Sequence, residues 1–119
     1  MKRWRSLRKS LDFHVDITNP ALLDAEEYAE FVRRVRQQPE AAERWFRGLV
    51  QAIYSLEQLP NRCPLIPEQS EFQSEIRQLI YFSHRIIFSV EHDRQRVVVY
   101  RIYHGARNDL EESQLLWEK

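Results

Sequence analysis

The last third of the chain concentrates the side chains that can handle charge and protons: Arg77, His84, Arg85, Arg101, His104 and Arg107. An arginine fork neutralises a phosphate or a carboxylate through paired N–H donors. A histidine near its ordinary pKa of about 6.5 moves protons at neutral pH. The two types together equip either an anion-binding surface or a site that moves protons beside a bound anion. Period-two alternation sets Arg85 with Ile87 and Ser89, opposite Ile86, Phe88 and Val90. It sets His104 with Val98, Tyr100 and Ile102, and Arg101 with Val99 and Tyr103. A sheet face left open by the helices would present these groups in a shallow depression. The same spacing also fits solvated, cross-strand-paired residues, and both readings stand at this level. Other chemistries find no support. Gly48 and Gly105 are the only glycines, so no Gly-rich phosphate loop forms. There is no metal-ligand spacing and no nucleophile elbow, so neither a metal nor a cofactor is expected.

The elements that must position these residues are legible in the hydrophobic pattern. Leu11, Phe13, Val15 and Ile17 alternate with polar residues, as in a strand with one buried face. Asn19-Pro20 then predicts a helix start, with Asn19 as N-cap and Pro20 at the first helical position. Leu22, Ala25, Ala29, Val32 and Val35 give its buried stripe. Asp24, Glu26, Glu27 and Glu30 precede Arg33, Arg34 and Arg36, an order that suits the macrodipole and calls for no functional role. Pro39 opens a second helix through Ala42, Trp45, Phe46, Leu49, Ile53, Leu56 and Leu59, closed by Pro60. Gly48 within it disfavours the helix by roughly 1 kcal/mol unless a close neighbour compensates. Residues 61–74 read as a loop. Three strands follow, over Ile76–Phe82, Arg85–Glu91 and Val97–His104, with turns near Ser83 and at His92–Gln95. Asn108 with Glu111 resembles a capping box for a short last helix. The fold class is α+β, in the order β-α-α-β-β-β(-α), with a helical hairpin packed on one face of a mainly antiparallel four-stranded sheet.

Composition narrows the function further. With 119 residues, 43% apolar and 30% charged, the chain makes one domain with a real core. No apolar run approaches the roughly 20 residues of a membrane span, and no signal peptide is evident. One cysteine, Cys63, forms no internal disulfide, which fits the cytoplasm. The zero net charge hides an asymmetry. Residues 1–10 carry five basic groups and no acid, whereas the rest holds 13 basic and 18 acidic groups. We therefore divide the chain into a basic N-terminal tail, 1–10, and a single domain, 11–119. Fifteen of the 18 basic residues are Arg, which favours planar, bidentate anion recognition.

The stretch from Asn19 to Asp109 resembles the RelE/ParE superfamily of bacterial toxins from type II toxin–antitoxin modules. The likeness is carried by Leu56-Glu57-Gln58-Leu59-Pro60 at the end of the hairpin and Glu75-Ile76-Arg77-Gln78-Leu79 after it. Ser83-His84-Arg85-Ile86-Ile87-Phe88-Ser89-Val90 and Tyr100-Arg101-Ile102-Tyr103-His104-Gly105-Ala106-Arg107 complete it.

The resemblance implies a growth inhibitor neutralised by a cognate antitoxin, which would lie over the toxin and carry the DNA-binding part of the module. Two targets follow from it. RelE-type relatives cut mRNA on the ribosome without a metal; in that case Arg85 would stabilise the phosphate charge, His104 would be the general acid or base, and Glu68 its partner. Some members of this branch rely on lysines in the folded body, and residues 10–118 contain none. ParE-type relatives poison DNA gyrase and are not enzymes, and the Gly105-Ala106-Arg107 ending looks more like that branch. Arg77, Arg101, Tyr103 and Arg107 are the candidates for binding the target or a phosphate. An inactive member that keeps antitoxin binding is the remaining reading.

Overall fold

The computed structural model describes residues 12–105; the basic tail, Arg107 and the expected last helix lie outside them. The elements are β1 (His14–Ile17), α1 (Asn19–Glu30), α2 (Pro39–Tyr54), β2 (Arg77–Tyr81), β3 (His84–Glu91) and β4 (Arg96–His104). They form the expected α+β arrangement, with sheet order β1-β4-β3-β2. β1 runs parallel to β4, whereas β2–β3 and β3–β4 are antiparallel.

The helix start differs from its expected position by one residue. Thr18, not Asn19, is the N-cap: its extended backbone lets Oγ1 accept from the Ala21 N–H at 3.1 Å. The same hydroxyl donates to the Tyr100 carbonyl at 2.8 Å, fastening the helix start to β4. The buried stripe of α1 is Ala21, Ala25, Ala29 and Val32, while Leu22 and Val35 are exposed. A π-turn, Phe31–Val35, ends the helix with an Arg36 N–H to Phe31 carbonyl bond, so the 3.6-residue phase is lost there. Small side chains on that stripe let α1 lie close to the sheet.

α2 stops at Tyr54, before Pro60. A 3-10 turn, Ser55–Glu57, still buries Leu56 completely, but Leu59 is left exposed in a left-handed conformation. Gly48 has the compensating neighbour that its presence in a helix demands. A Cβ there would collide with the Tyr81 hydroxyl, which donates to the Trp45 carbonyl at 2.9 Å. The missing side chain is what lets β2 approach α2.

The sheet has two covered faces, not one. On the helix side Leu49, Ile53, Leu56, Ile86, Phe88, Val97, Val99 and Ile102 form the main core. Each such fully buried side chain contributes roughly 1.5–3 kcal/mol. On the other side the segment after Pro60 folds back over the sheet. Its Ile66, Phe72 and Ile76 pack against Ile87, Val98, Tyr100 and Tyr103. The open face expected to display the arginines is therefore closed by this strap, whose apolar residues lack any periodicity that would reveal them as core.

Candidate functional site

The β3–β4 register decides which polar residues meet. His84 pairs with His104, Arg85 with Tyr103 and Ile87 with Arg101, after which the ladder shifts so that Phe88 pairs with Val99. This bulge leaves Tyr100 and Arg101 together opposite Ile87. It breaks the strict alternation expected for β4. His104 shares the helix side with Val97, Val99 and Ile102, whereas Val98 and Tyr100 belong to the strap side.

Arg85 and Glu68 do meet. The guanidinium donates to both carboxylate oxygens, at 2.8 and 3.0 Å, and its Nε donates to the Gln78 Oε1 at 2.8 Å. Both side chains of the ion pair are about nine-tenths buried, at 11% and 9% exposure. The fork is directed at a carboxylate of the strap, so it ties the strap to β3. His104 is exposed and follows the opposite face, since its pairing with His84 and the pairing of Arg85 with Tyr103 occupy alternate sides. The three residues implied by the nuclease resemblance are thus not brought together: two form a buried pair under the strap, and the third lies across the sheet.

Arg101 and Tyr103 converge on the strand edge that the short β1 leaves uncovered. Arg101 makes a two-point contact with Asp24 of α1, at 2.8 and 2.9 Å, and its guanidinium lies 4.6 Å from the Tyr103 ring centre. Asp24 also accepts from the Ile102 N–H at 3.0 Å, satisfying an edge amide. That hydrogen bond to Asp24 holds the Arg101 pKa above its ordinary value, against the opposing effect of burial. The acidic residue assigned to the macrodipole is therefore a clamp between α1 and β4, a role that no spacing rule could reveal across 77 positions. Arg77 is a tie of the same kind. It donates to the Cys63 carbonyl at 2.7 Å and pairs with Glu75 at 3.3 Å.

The helix side of the β2–β3 turn carries an aromatic cluster that the pattern did not single out. His84 is 3% exposed, 4.3 Å from Tyr28, 5.0 Å from Trp45 and 5.1 Å from His104 between ring centres. Burial, reinforced by His104 and opposed by Asp24, pushes its pKa down to about 4. Its Nδ1 has no hydrogen-bond partner among the described residues. A neutral, buried imidazole of this kind packs as an aromatic, whereas a proton shuttle needs access. Next to the cluster a groove of about 650 Å³ opens between α1, α2 and the β2–β3 turn.

A sequence profile described as ParE toxin of type II toxin-antitoxin system, parDE, matches residues 15–109. The chain belongs to the ParE toxin family. Solved structures agree at the level of fold. A chain of the chromosomal ParDE toxin–antitoxin system from P. aeruginosa superposes with a TM-score of 0.60 at 21% identity, covering 79% of this chain and 97% of the other. A chain of the RelBE2 toxin–antitoxin complex from Mycobacterium tuberculosis gives 0.54 at 19% identity, with 81% and 94% covered. A chain of the archaeal RelE–RelB complex from Pyrococcus horikoshii gives 0.51 at 14% identity, with 82% and 99% covered. No curated protein matches at the sequence level. Among the described residues of this ParE-family toxin, no helix is long and apolar enough to cross a membrane.

Proposed function

We propose that this ParE-family chain arrests bacterial growth by acting on DNA gyrase, and that a cognate antitoxin encoded beside it holds it in check. The reading places the protein in the cytoplasm with its target, and assigns operator DNA binding to the antitoxin. The observation that carries the choice of target is the separation of the nuclease candidates. RNA cleavage by the 2′-hydroxyl needs an acid, a base and a cation around one phosphate. Arg85 instead holds Glu68 under the strap, and His104 lies on the other side of the sheet. A gyrase inhibitor asks for no such convergence. In this reading Arg77 and Arg101 hold the scaffold on which target contacts are displayed, Tyr103 supports Arg101, and Arg107 is the candidate for direct contact.

The test runs two assays side by side on the purified full-length chain: gyrase supercoiling, and mRNA cleavage on programmed ribosomes. Inhibition of supercoiling without cleavage is expected, with His104→Ala retaining most of it. Loss of a positioned acid or base would lower a cleavage rate by about 10²–10⁴-fold. Ribosome-dependent cleavage that disappears to that extent in a folded His104→Ala variant would replace gyrase by mRNA as the target.

A further inference from the structure

The basic tail, residues 1–10, is the feature that neither the fold nor the gyrase reading absorbs. It holds Lys2, Arg3, Arg5, Arg8 and Lys9 with no acid, and two of the three lysines of the chain. Residues 11–119 carry the opposite excess, 18 acidic groups against 13 basic ones. A polyanion is therefore repelled on average by the domain and attracted by the tail. Within the domain Arg77, Arg85, Arg96 and Arg101 are already committed to carbonyls and carboxylates. A lysine, by contrast, is a flexible point charge that meets a phosphate without a fixed fork geometry.

The structure fixes where the tail joins the domain. Phe13 donates to the Glu57 carbonyl at 2.7 Å and His14 to the Gln95 carbonyl at 2.8 Å. The chain thus enters β1 between the 3-10 turn after α2 and the β3–β4 turn. The charges that flank this entry nearly cancel. Asp12, Glu57 and Asp93 stand beside Arg62 and Arg94, while Asp16 and Glu91 face Arg96, and Asp16 also faces His14. These flanking residues make no acidic surface that would hold the tail on its own domain. The parallel register sets His14 beside Arg96, at the start of β4. The chain leaves β4 towards Arg107 only after His104, roughly 25 Å further along the strand. The tail and the candidate target contact therefore start from opposite ends of the sheet, so one does not obstruct the other.

We propose that the basic tail binds the phosphates of duplex DNA and so holds the toxin on the DNA that gyrase works on. The choice of DNA rests on the gyrase reading; the attraction for a polyanion rests on charge alone. Ten residues extend to at most roughly 35 Å. That is enough for five cations to meet five successive phosphates of one strand, about 3.4 Å apart along the axis. Such a contact carries no sequence preference. It raises the local concentration of toxin beside an enzyme bound to the same duplex.

The test titrates a labelled duplex of about 30 base pairs with the full-length chain and follows its anisotropy over about 50–200 mM salt. The wild type is expected to bind in the micromolar range at the lowest salt. The log–log salt slope should be about −4 to −5, the value for five neutralised phosphates. The variant Lys2→Gln/Arg3→Gln/Arg5→Gln/Arg8→Gln/Lys9→Gln should bind about 100-fold more weakly at that salt, with a slope near zero. Its melting temperature should match the wild type. Absence of wild-type binding, or binding by the variant within about twofold of the wild type, overturns the proposal. A melting temperature lower by more than about 2 °C in the variant overturns it too, because the tail would then be packed on its own domain. So does tighter binding to an RNA duplex of equal length, or binding to phosphatidylglycerol vesicles with none to DNA. A wild type that binds DNA with this slope yet leaves supercoiling untouched supports the role of the tail and removes the gyrase reading.

Discussion

His84 and His104 stand directly opposite each other on β3 and β4, with ring centres 5.1 Å apart. One is buried and the other exposed, and burial makes His84 one source of acid sensitivity in the fold. In the unfolded chain His84 takes up a proton near pH 6.5, whereas in the folded chain it does so only near 4. Across that window the unfolded state binds more protons, so stability is lost as pH falls from about 6.5 towards 4 and is unaffected by this group above it. The loss attributable to His84 is roughly 2–3 kcal/mol between pH 7 and pH 4.5. Urea unfolding of the wild type and His84→Phe at both pH values measures it. Equal losses in the two proteins would show that His84 does not titrate as a buried neutral group.

Gly48→Ala separates helix propensity from packing. Alanine favours an isolated helix by roughly 1 kcal/mol, but its Cβ would displace the Tyr81 hydroxyl from the Trp45 carbonyl. A net destabilisation of about 1–2 kcal/mol is expected, read as a lower denaturant midpoint. Pairing it with Tyr81→Phe, which removes the clashing oxygen, should recover about half of that loss.

Arg85→Ala is expected to destabilise the fold by roughly 3–5 kcal/mol, because it removes the two-point guanidinium partner of the buried Glu68 carboxylate. A loss of toxicity in that variant therefore says little about chemistry. Replacing both partners, Arg85→Met with Glu68→Leu, should restore most of the stability. Toxicity measured in this double variant then reports on Arg85 itself.

Asp24→Ala removes the partner of Arg101 and the acceptor for the Ile102 N–H in one step. A loss of about 3 kcal/mol is expected, and Asp24→Asn should lose less because it keeps an acceptor oxygen. Hydrogen exchange at Ile102 offers a local readout: its amide should lose protection in Asp24→Ala before the β3–β4 amides do.

The hydrophobic pattern alone determined the order of elements, the helical hairpin against a sheet, and the strands that carry the arginines and histidines. Local side-chain spacing is enough for this, because burying one face of a strand or helix imposes a period of two or 3.6. The motif order around Arg85, Arg101 and His104 also led correctly to the toxin superfamily. Which of those side chains share a site depended on tertiary structure. A one-residue bulge at Tyr100-Arg101 turns His104 to the helix side, and a bulge leaves no periodic trace in the sequence. The strap from Pro60 to Ile76 covers the other face and delivers Glu68 to Arg85 from 17 positions away. Its apolar residues are spaced irregularly, because contact with a sheet by a non-repeating backbone imposes no period. Asp24 reaches Arg101 only because α1 packs beside the edge that β1 leaves open. Long-range pairing of single charges is decided by the path of the chain, which composition and spacing do not encode.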